Sequence, residues 1–215
     1  MTYLEMVNNI LKRLRERTVS SVNENAYSAL IGVLVNDAKK EIEASWDWSA
    51  LRTSFAAVTS PNVFSYSLTN SGDNMTMLNV FNDTDDVEMQ YADAKWLTHQ
   101  MLLDNRSTGS PYYYSFNGID DNGDTVVDIY PIPDGTYNLY FNAVDRMSEL
   151  EAESDKLIIP SQPVLLLAYA KAVEERGEDG GVGSSAAYAT AARSLNDAIS
   201  LDAAKHPEEL IWSAV

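Results

Sequence analysis

The chain has 215 residues, enough for one compact domain or two small lobes with a sizeable core. It carries 15 basic and 32 acidic residues, and a formal charge of −17 argues against ordinary binding of nucleic-acid phosphates. The chain contains no cysteine, which excludes disulfides and thiolate chemistry. It shows neither an apolar run of the roughly 20 residues that span a membrane nor a secretion signal, so we expect a cytoplasmic origin.

Apolar residues recur at helical spacing near the N-terminus and predict a first helix from Tyr3 to Arg17. Three basic residues, Lys12, Arg13 and Arg15, occupy its other face. In one interpretation they form an ordinary solvated face, favourably placed near the helix C-terminus. In the other they contact an acidic neighbouring subunit or partner.

A second, longer helix is predicted from a cap at Asn23 or Asn25 to Trp48. One continuous apolar stripe follows it, formed by Tyr27, Leu30, Ile31, Leu34, Val35, Ala38, Ile42 and Trp46. Trp46 and Trp48 are two residues apart and would face different directions in a helix. We expect one of them in the core and the other at the junction with a sheet.

After the second helix the pattern changes to short β-type segments separated by turn residues. Thr53–Thr59 and Val63–Thr69 flank a turn at Pro61, which predicts a hairpin. A further strand is predicted from Met75 to Phe81, and a helix from Tyr91 to Leu103.

Three consecutive segments, Tyr112–Asn117, Thr125–Pro131 and Tyr137–Ala143, alternate in side-chain character as strands do. The Asn122-Gly123 pair between the first two favours a tight hairpin turn. The segment Pro133-Asp134-Gly135 favours a β-turn between the last two. The sequence therefore predicts a three-stranded antiparallel meander.

The last third of the chain predicts two more helices. One begins near Pro160, is apolar almost all round from Val164 to Val173, and ends before a glycine-rich loop at Gly177. The other is rich in alanine, is capped within Ser184-Ser185 and ends near Lys205. Long helices therefore stand at both ends of the chain with β-type segments between them, and we expect the helices of the two ends to pack together.

The tail beyond Pro207 is apolar, although proline should end the preceding helix. Its apolar residues include Leu210, Ile211, Trp212 and Val215. In one interpretation the tail folds back over its own core. In the other it anchors the chain in an interface, because a tryptophan with flanking aliphatic residues is typical of such anchors.

The order of these elements predicts an α+β fold, in which the N- and C-terminal helices form a helical lobe with an inserted antiparallel β-rich lobe. Residues 1–50 and 156–206 would supply the helical lobe, and residues 51–155 the β-rich lobe with one helix and the meander. Within the latter, the acidic segment from Ser148 to Asp155 is expected to be an irregular linker. Residues 207–215 form the tail.

Residue patterns for catalysis or metal binding are weak. The two histidines, His99 and His206, lie far apart in the chain, so neither a histidine-based metal site nor a nucleophile triad is expected. Four residues resemble the start of a calcium loop: Asp120, Asp121, Asn122 and Asp124. However, Gly123 comes too early, no Glu closes the loop, and a hairpin turn explains the same residues. We therefore expect no enzyme and no cofactor.

The run from Val127 to Leu139 resembles the strand, the Pro-x-Pro-Asp-Gly turn and the Tyr-x-Leu strand of phage head-to-tail adaptor proteins, called tail tubular protein A in short-tailed phages. Further matches are Gly109-Ser110-Pro111 before the meander, Leu157–Pro160 after it, and a helix that ends in Glu43–Trp48. The resemblance therefore spans most of the chain. None of the matched residues is catalytic, so the resemblance implies a role in assembly.

By this resemblance the chain is a virion structural protein of the tail or neck, assembled in the host cytoplasm. Its copies would form a ring, a dodecamer, between the portal protein and the tail nozzle protein. Genomic DNA would pass through it without specific binding, and no membrane would be involved. In the family the C-terminal segment reaches the portal. The candidate residues for contact with the portal or a neighbouring subunit are Lys12, Arg13, Arg15, Leu210, Ile211, Trp212 and Val215.

A second hypothesis of a different class is a carbohydrate- or calcium-binding module. Tyrosines on an exposed sheet face can stack on sugar rings, and five are available in this part of the chain: Tyr112, Tyr114, Tyr130, Tyr137 and Tyr140. Whether that sheet face is covered separates the two hypotheses.

Overall fold

The structure is a computed structural model, and it describes residues 1–72, 74–146, 148–177 and 182–205. Within these ranges the chain forms five α-helices and seven β-strands. The helices are α1 (Tyr3–Arg13), α2 (Ala26–Ala44), α3 (Ala94–Leu102), α4 (Ser161–Arg176) and α5 (Val182–Ala203). The strands are β1 (Arg52–Val58), β2 (Ser65–Ser67), β3 (Met75–Asn82), β4 (Val87–Tyr91), β5 (Tyr113–Ile119), β6 (Thr125–Tyr130) and β7 (Asn138–Asp145). The predicted α+β class, with helices at both ends of the chain, is confirmed.

The described residues divide into two compact units. The helical unit consists of residues 1–51 and the described part of 148–205, and it contains α1, α2, α4 and α5. The sheet unit consists of the described residues from Arg52 to Arg146, and it contains the seven strands and α3. Each unit buries its own set of apolar side chains.

Helix α1 begins with a reciprocal cap between Thr2 and Glu5. The Glu5 carboxylate accepts the Thr2 N–H at 2.8 Å, and the Thr2 hydroxyl accepts the Glu5 N–H at 3.3 Å. The helix ends at Arg13 rather than at the predicted Arg17, because Arg15 adopts a left-handed backbone conformation with φ of 59°. The basic residues predicted on one helix face therefore lie on a helix end and the turn after it.

Helix α2 begins with a similar cap, in which Asn25 accepts the Ser28 N–H at 2.8 Å and the Ser28 hydroxyl accepts the Asn25 N–H at 3.2 Å. It ends at Ala44, so the prediction that it continues to Trp48 is wrong. Trp48 is fully buried and donates its Nε1 hydrogen to the carbonyl of Ile42 at 2.8 Å. This bond satisfies a carbonyl of the last helical turn.

Asp202 joins the end of α5 to the segment that follows α2. Its carboxylate is 3% exposed and accepts hydrogen bonds from Trp46 Nε1 at 3.1 Å, from the Ser49 N–H at 2.9 Å and from the Ser49 hydroxyl at 2.6 Å. Lys205 adds an ion pair at 2.9 Å. Trp46, one of the two tryptophans considered for the junction with the sheet, thus bonds to a helix.

The segment expected to be an irregular linker is fixed to α2. Asn36 exchanges two hydrogen bonds with the backbone of Leu150, at 3.1 and 3.0 Å. The buried Lys39 donates to the carbonyl of Ser148 at 3.0 Å and pairs with the buried Glu43 at 3.0 Å. Long-range pairing of buried polar groups therefore orders this acidic stretch.

The strands of the described residues form one sheet in the order β1-β7-β3-β4-β5-β6-β2. Neighbouring strands are antiparallel except β4 and β5, which pair in parallel through Gln90 opposite Tyr113 and Tyr91 opposite Tyr114. The sheet is therefore mixed, and not wholly antiparallel as predicted.

The predicted hairpin between β1 and β2 is wrong. Strand β1 pairs along its whole length with β7, and β2 pairs with β6. Thr59 extends the first ladder, because its N–H bonds to the carbonyl of Tyr137 at 2.9 Å and its hydroxyl accepts the Tyr137 N–H at 2.8 Å. These groups face a strand distant in sequence instead of closing a local turn.

The predicted meander is correct in its first half and wrong in its second. Strands β5 and β6 form the expected hairpin around Asn122-Gly123, but β7 lies between β1 and β3 instead of beside β6. The connecting segment is engaged elsewhere: Ile132 exchanges backbone hydrogen bonds with Ser107 and Gly109, and the carbonyl of Pro133 accepts the Asn62 N–H at 2.9 Å. These bonds lead the chain away from β6.

One face of the sheet carries the apolar core of the sheet unit. Its members are Leu68, Val80, Met89, Tyr114, Val127, Ile129, Leu139 and Phe141. Helix α3 buries Leu97, and its Trp96 ring lies 5.1 Å from that of Tyr113 and 5.8 Å from that of Tyr130. The helix predicted from Tyr91 to Leu103 is shorter in the structure, where α3 covers Ala94–Leu102. The Trp96 ring makes edge-to-face contacts with both tyrosine rings.

Candidate interaction surface

We call Lys12, Arg13, Arg15 and Arg17 the basic end of the first helix. All four side chains are exposed. Lys12, Arg15 and Arg17 have no carboxylate partner among the described residues, although the chain has 32 acidic residues. The negative end of the α1 dipole lies beside them and stabilises positive charge there.

Arg13 is the most constrained member of the basic end. Its Nε donates to the side chain of Asn9 at 3.4 Å, one turn earlier in α1. Its guanidinium carbon lies 5.9 Å from the centre of the Tyr169 ring on α4. A planar cation over an aromatic face is held in a defined orientation and keeps its outer N–H groups available.

A cavity of about 420 Å³ opens between the basic end and α4, lined by Arg13, Leu14, Arg15, Glu16, Tyr169, Val173 and Arg176. Arg176 donates to the carbonyl of Leu14 at 3.0 Å and pairs with the Glu16 carboxylate at 3.2 Å. Three guanidinium groups and one carboxylate therefore surround the cavity. Such a lining favours a negatively charged occupant, above all a carboxylate, which arginine binds with two parallel hydrogen bonds.

Among the predicted contact residues, Arg13 and Arg15 line this cavity, whereas Lys12 lines a different one beside the start of α1. Sequence reasoning missed Tyr169 and Arg176, which line the same cavity, and Arg17, which follows Arg15 in the exposed basic end. Arg17 continues the basic run and could have been included. The two residues on α4 lie more than 150 positions away in the chain, so no local spacing could have identified them.

The predicted tail residues Leu210, Ile211, Trp212 and Val215 lie outside the described residues. The structure does describe how the preceding helix is held. Burial would raise the pKa of Asp202, but hydrogen bonds from Ser49, Lys205 and Trp46 outweigh it and keep that pKa below its usual range. A charged, buried carboxylate therefore fixes the end of α5.

The five tyrosines considered for sugar stacking do not form one exposed face. Tyr114 and Tyr130 are buried, and they point to opposite sides of the sheet because they pair with each other's neighbours in the β5–β6 ladder. The Tyr137 hydroxyl donates to the Asp134 carboxylate at 2.6 Å, and of the five only Tyr140 is classed as exposed, at 40%. The geometry does not favour a carbohydrate module.

The acidic turn between β5 and β6 is a hairpin turn. The Asp120 carboxylate accepts the N–H groups of Asn122 at 2.8 Å and of Asp124 at 3.0 Å. Gly123 takes the positive φ of 87° that this turn requires. Across the described ranges, no group of three or more acidic or histidine side chains is placed to hold a metal ion.

The exposed basic end and the cavity beside it are features of a protein that contacts other proteins. A sequence model of the SU10 adaptor protein family matches residues 1–209. The chain belongs to the SU10 adaptor protein family, so it is a phage adaptor with a structural role. No curated protein matches it. Among the described helices, none is both long and apolar enough to cross a bilayer.

Membership of this family implies contacts with portal and tail components at the neck of the virion. It also favours a structural role over an enzymatic one. The resemblance that the sequence motifs indicated is thereby confirmed.

Proposed function

We propose that this protein is the head-to-tail adaptor that joins the portal to the tail nozzle. Its copies form a ring, a dodecamer, around the path that DNA takes during ejection. The observation that carries the proposal is the family match over residues 1–209, which includes both the helical and the sheet unit. The mechanism is assembly and DNA passage, and no chemical step is required.

The basic end and the cavity beside it support a contact with an acidic surface. In a chain with a charge of −17, an exposed group of cations that lack carboxylate partners among the described residues is attracted to carboxylates on a portal or a neighbouring subunit. We assign Lys12, Arg13 and Arg15 to such a contact. The tail residues Leu210, Ile211, Trp212 and Val215 are assigned to the portal contact as an apolar anchor.

The negative charge of the chain suits the passage of DNA. Carboxylates along a channel repel phosphates, so that DNA slides without specific binding. In the proposed ring, acidic side chains line this path and keep the genome from adhering.

Electron microscopy of the purified protein mixed with its cognate portal tests the proposal. We expect a ring docked on one face of the portal. The variant Arg13→Glu with Arg15→Glu should fold normally and weaken docking or ring formation by about 10- to 100-fold, because it reverses the charge at the contact.

The matched control is Arg106→Glu with Arg193→Glu, which changes the net charge equally at two arginines outside the basic end. Equal loss in both variants would show a general effect of charge. If the folded wild-type protein and portal form no complex, the adaptor role is wrong.

A further inference from the structure

Strand β1 lies at one end of the sheet and has an open edge. All seven of its residues pair with β7, from Arg52 opposite Val144 to Val58 opposite Asn138, without a bulge. No strand of the described residues pairs with its other side. A complete row of backbone hydrogen-bonding groups is therefore presented on that side.

The register of β1 with β7 identifies which residues present their backbone N–H and C=O groups on the open side. The Thr59 N–H bonds to the Tyr137 carbonyl, so every second residue before Thr59 also faces β7. Ser54, Ala56 and Val58 alternate with these and point their N–H and C=O groups away from β7. None of these groups has a partner among the described residues.

The edge lacks the features that usually keep such strands from pairing. Lysine, proline, a β-bulge or a short length commonly prevents an edge strand from pairing with another chain. Apart from Arg52 at its start, β1 contains neither a charged residue nor a proline, and Ser54, Ala56 and Val58 are exposed. The opposite end of the sheet differs, because β2 is only three residues long.

The same edge begins the longest uncharged run of the chain. Residues 53–72 contain no Asp, Glu, Lys or Arg, although 22% of the chain is charged. Two copies that each carry −17 repel one another, so a contact between copies is least costly where neither copy presents a charge. Most of the run is exposed, so it is available for such a contact.

We propose that β1 is a contact between copies: its open edge accepts an extended part of the uncharged run 53–72 of a second copy as an added strand. Main-chain hydrogen bonds to Ser54, Ala56 and Val58 hold the two copies together. This inference rests on the proposed assembly of copies and names where they meet. It is independent of the basic end and of the tail.

The substitution Ala56→Pro tests the edge directly. The Ala56 N–H points away from β7, so proline removes the outward donor and obstructs an incoming strand without breaking the β1–β7 ladder. The matched control Ala56→Thr keeps the donor and suits a strand. Ala57→Pro serves as a second control, because it removes an N–H that bonds to β7 and should lower Tm by roughly 5 °C or more.

The readout is the mass of the assembly, measured by light scattering or sedimentation over a range of concentrations, with and without portal. We expect wild type and Ala56→Thr to assemble alike, and Ala56→Pro to assemble at least tenfold more weakly at an unchanged Tm. If Ala56→Pro lowers Tm, Val58→Glu replaces it, since that side chain is 60% exposed and adds a like charge to both copies.

Assembly of Ala56→Pro or Val58→Glu at wild-type strength overturns the inference. So does a wild-type chain that remains a monomer both alone and with portal. Normal rings that fail only to bind a tail component would assign the edge to another protein and also overturn it. If the copies assemble through this edge but never dock on a portal, the inference stands and the adaptor proposal fails.

Discussion

Asp202 is the residue on which the position of α5 depends most clearly. Replacing it by alanine leaves the Trp46 and Ser49 donors without their buried acceptor. We expect Asp202→Ala to lower the free energy of unfolding by about 2–4 kcal/mol, since hydrogen bonds to a charged group are involved. Asp202→Asn, which keeps one acceptor oxygen, should lose less. Urea unfolding at neutral pH measures both.

The pH dependence of this loss follows from the lowered pKa of Asp202. A carboxyl with a depressed folded pKa contributes stability above its unfolded pKa of about 4 and loses it as the pH falls toward the folded value. The difference between wild type and Asp202→Asn should therefore narrow below about pH 4. A constant difference down to pH 2.5 would mean that the charge of Asp202 contributes little.

At the scale of elements, the close approach of α1 to α2 depends on Gly32. A Cβ at this position would lie 2.5 Å from the Tyr3 hydroxyl oxygen and 2.8 Å from Val22 Cγ1. Alanine favours a helix over glycine by up to about 1 kcal/mol, but overpacking costs about 1–3 kcal/mol. We expect Gly32→Ala to destabilise the protein by about 1–2 kcal/mol in denaturant unfolding.

Val33→Ala is the control for this effect, because Val33 is the next residue of the same helix and is 56% exposed. It should change the stability by less than about 0.5 kcal/mol. A stabilised Gly32→Ala would show that the two helices can move apart at no cost.

Elements could be predicted from sequence where their signal is local. The apolar stripe of α2 as far as Ile42 and the cap at Asn25, one of two candidates, depend on neighbouring residues and are found. The hairpin around Asn122-Gly123 is also found, but its turn is longer than the predicted two residues, because the Asp120 N–H bonds to the carbonyl of Asp124. The pairing partners of β1 and β7 could not be predicted, because Thr59 bonds to Tyr137 far along the chain. Strand partners are fixed by tertiary packing, and the alternation within a strand carries no information about them.

The candidate surface, too, could be predicted only in part. Lys12, Arg13 and Arg15 were recognisable as an unusual basic group in an acidic chain. The cavity that Arg13 and Arg15 share with Tyr169 and Arg176 exists only once α4 packs beside α1. The basic residues are visible in the sequence, whereas the cavity forms only when distant parts of the chain pack together.

For the whole molecule, we predict that the tail is needed for docking and dispensable for folding. A chain that ends before Leu210 should keep its Tm within about 2 °C and lose portal binding, because an apolar anchor contributes to the interface and not to the core. Thermal unfolding and co-sedimentation with portal measure the two properties. A molten truncated chain would show instead that the tail covers its own core.

Because β1 pairs with β7, the sheet unit could be exchanged as a whole by protein engineering. The first and the last strand of the sheet unit are neighbours, with Arg52 directly opposite Val144. The Cα atoms of Arg52 and Val144, near the two ends of the sheet unit, therefore lie about 5 Å apart. A short loop could therefore replace the sheet unit. A different sheet whose first and last strands are neighbours could also be inserted in its place.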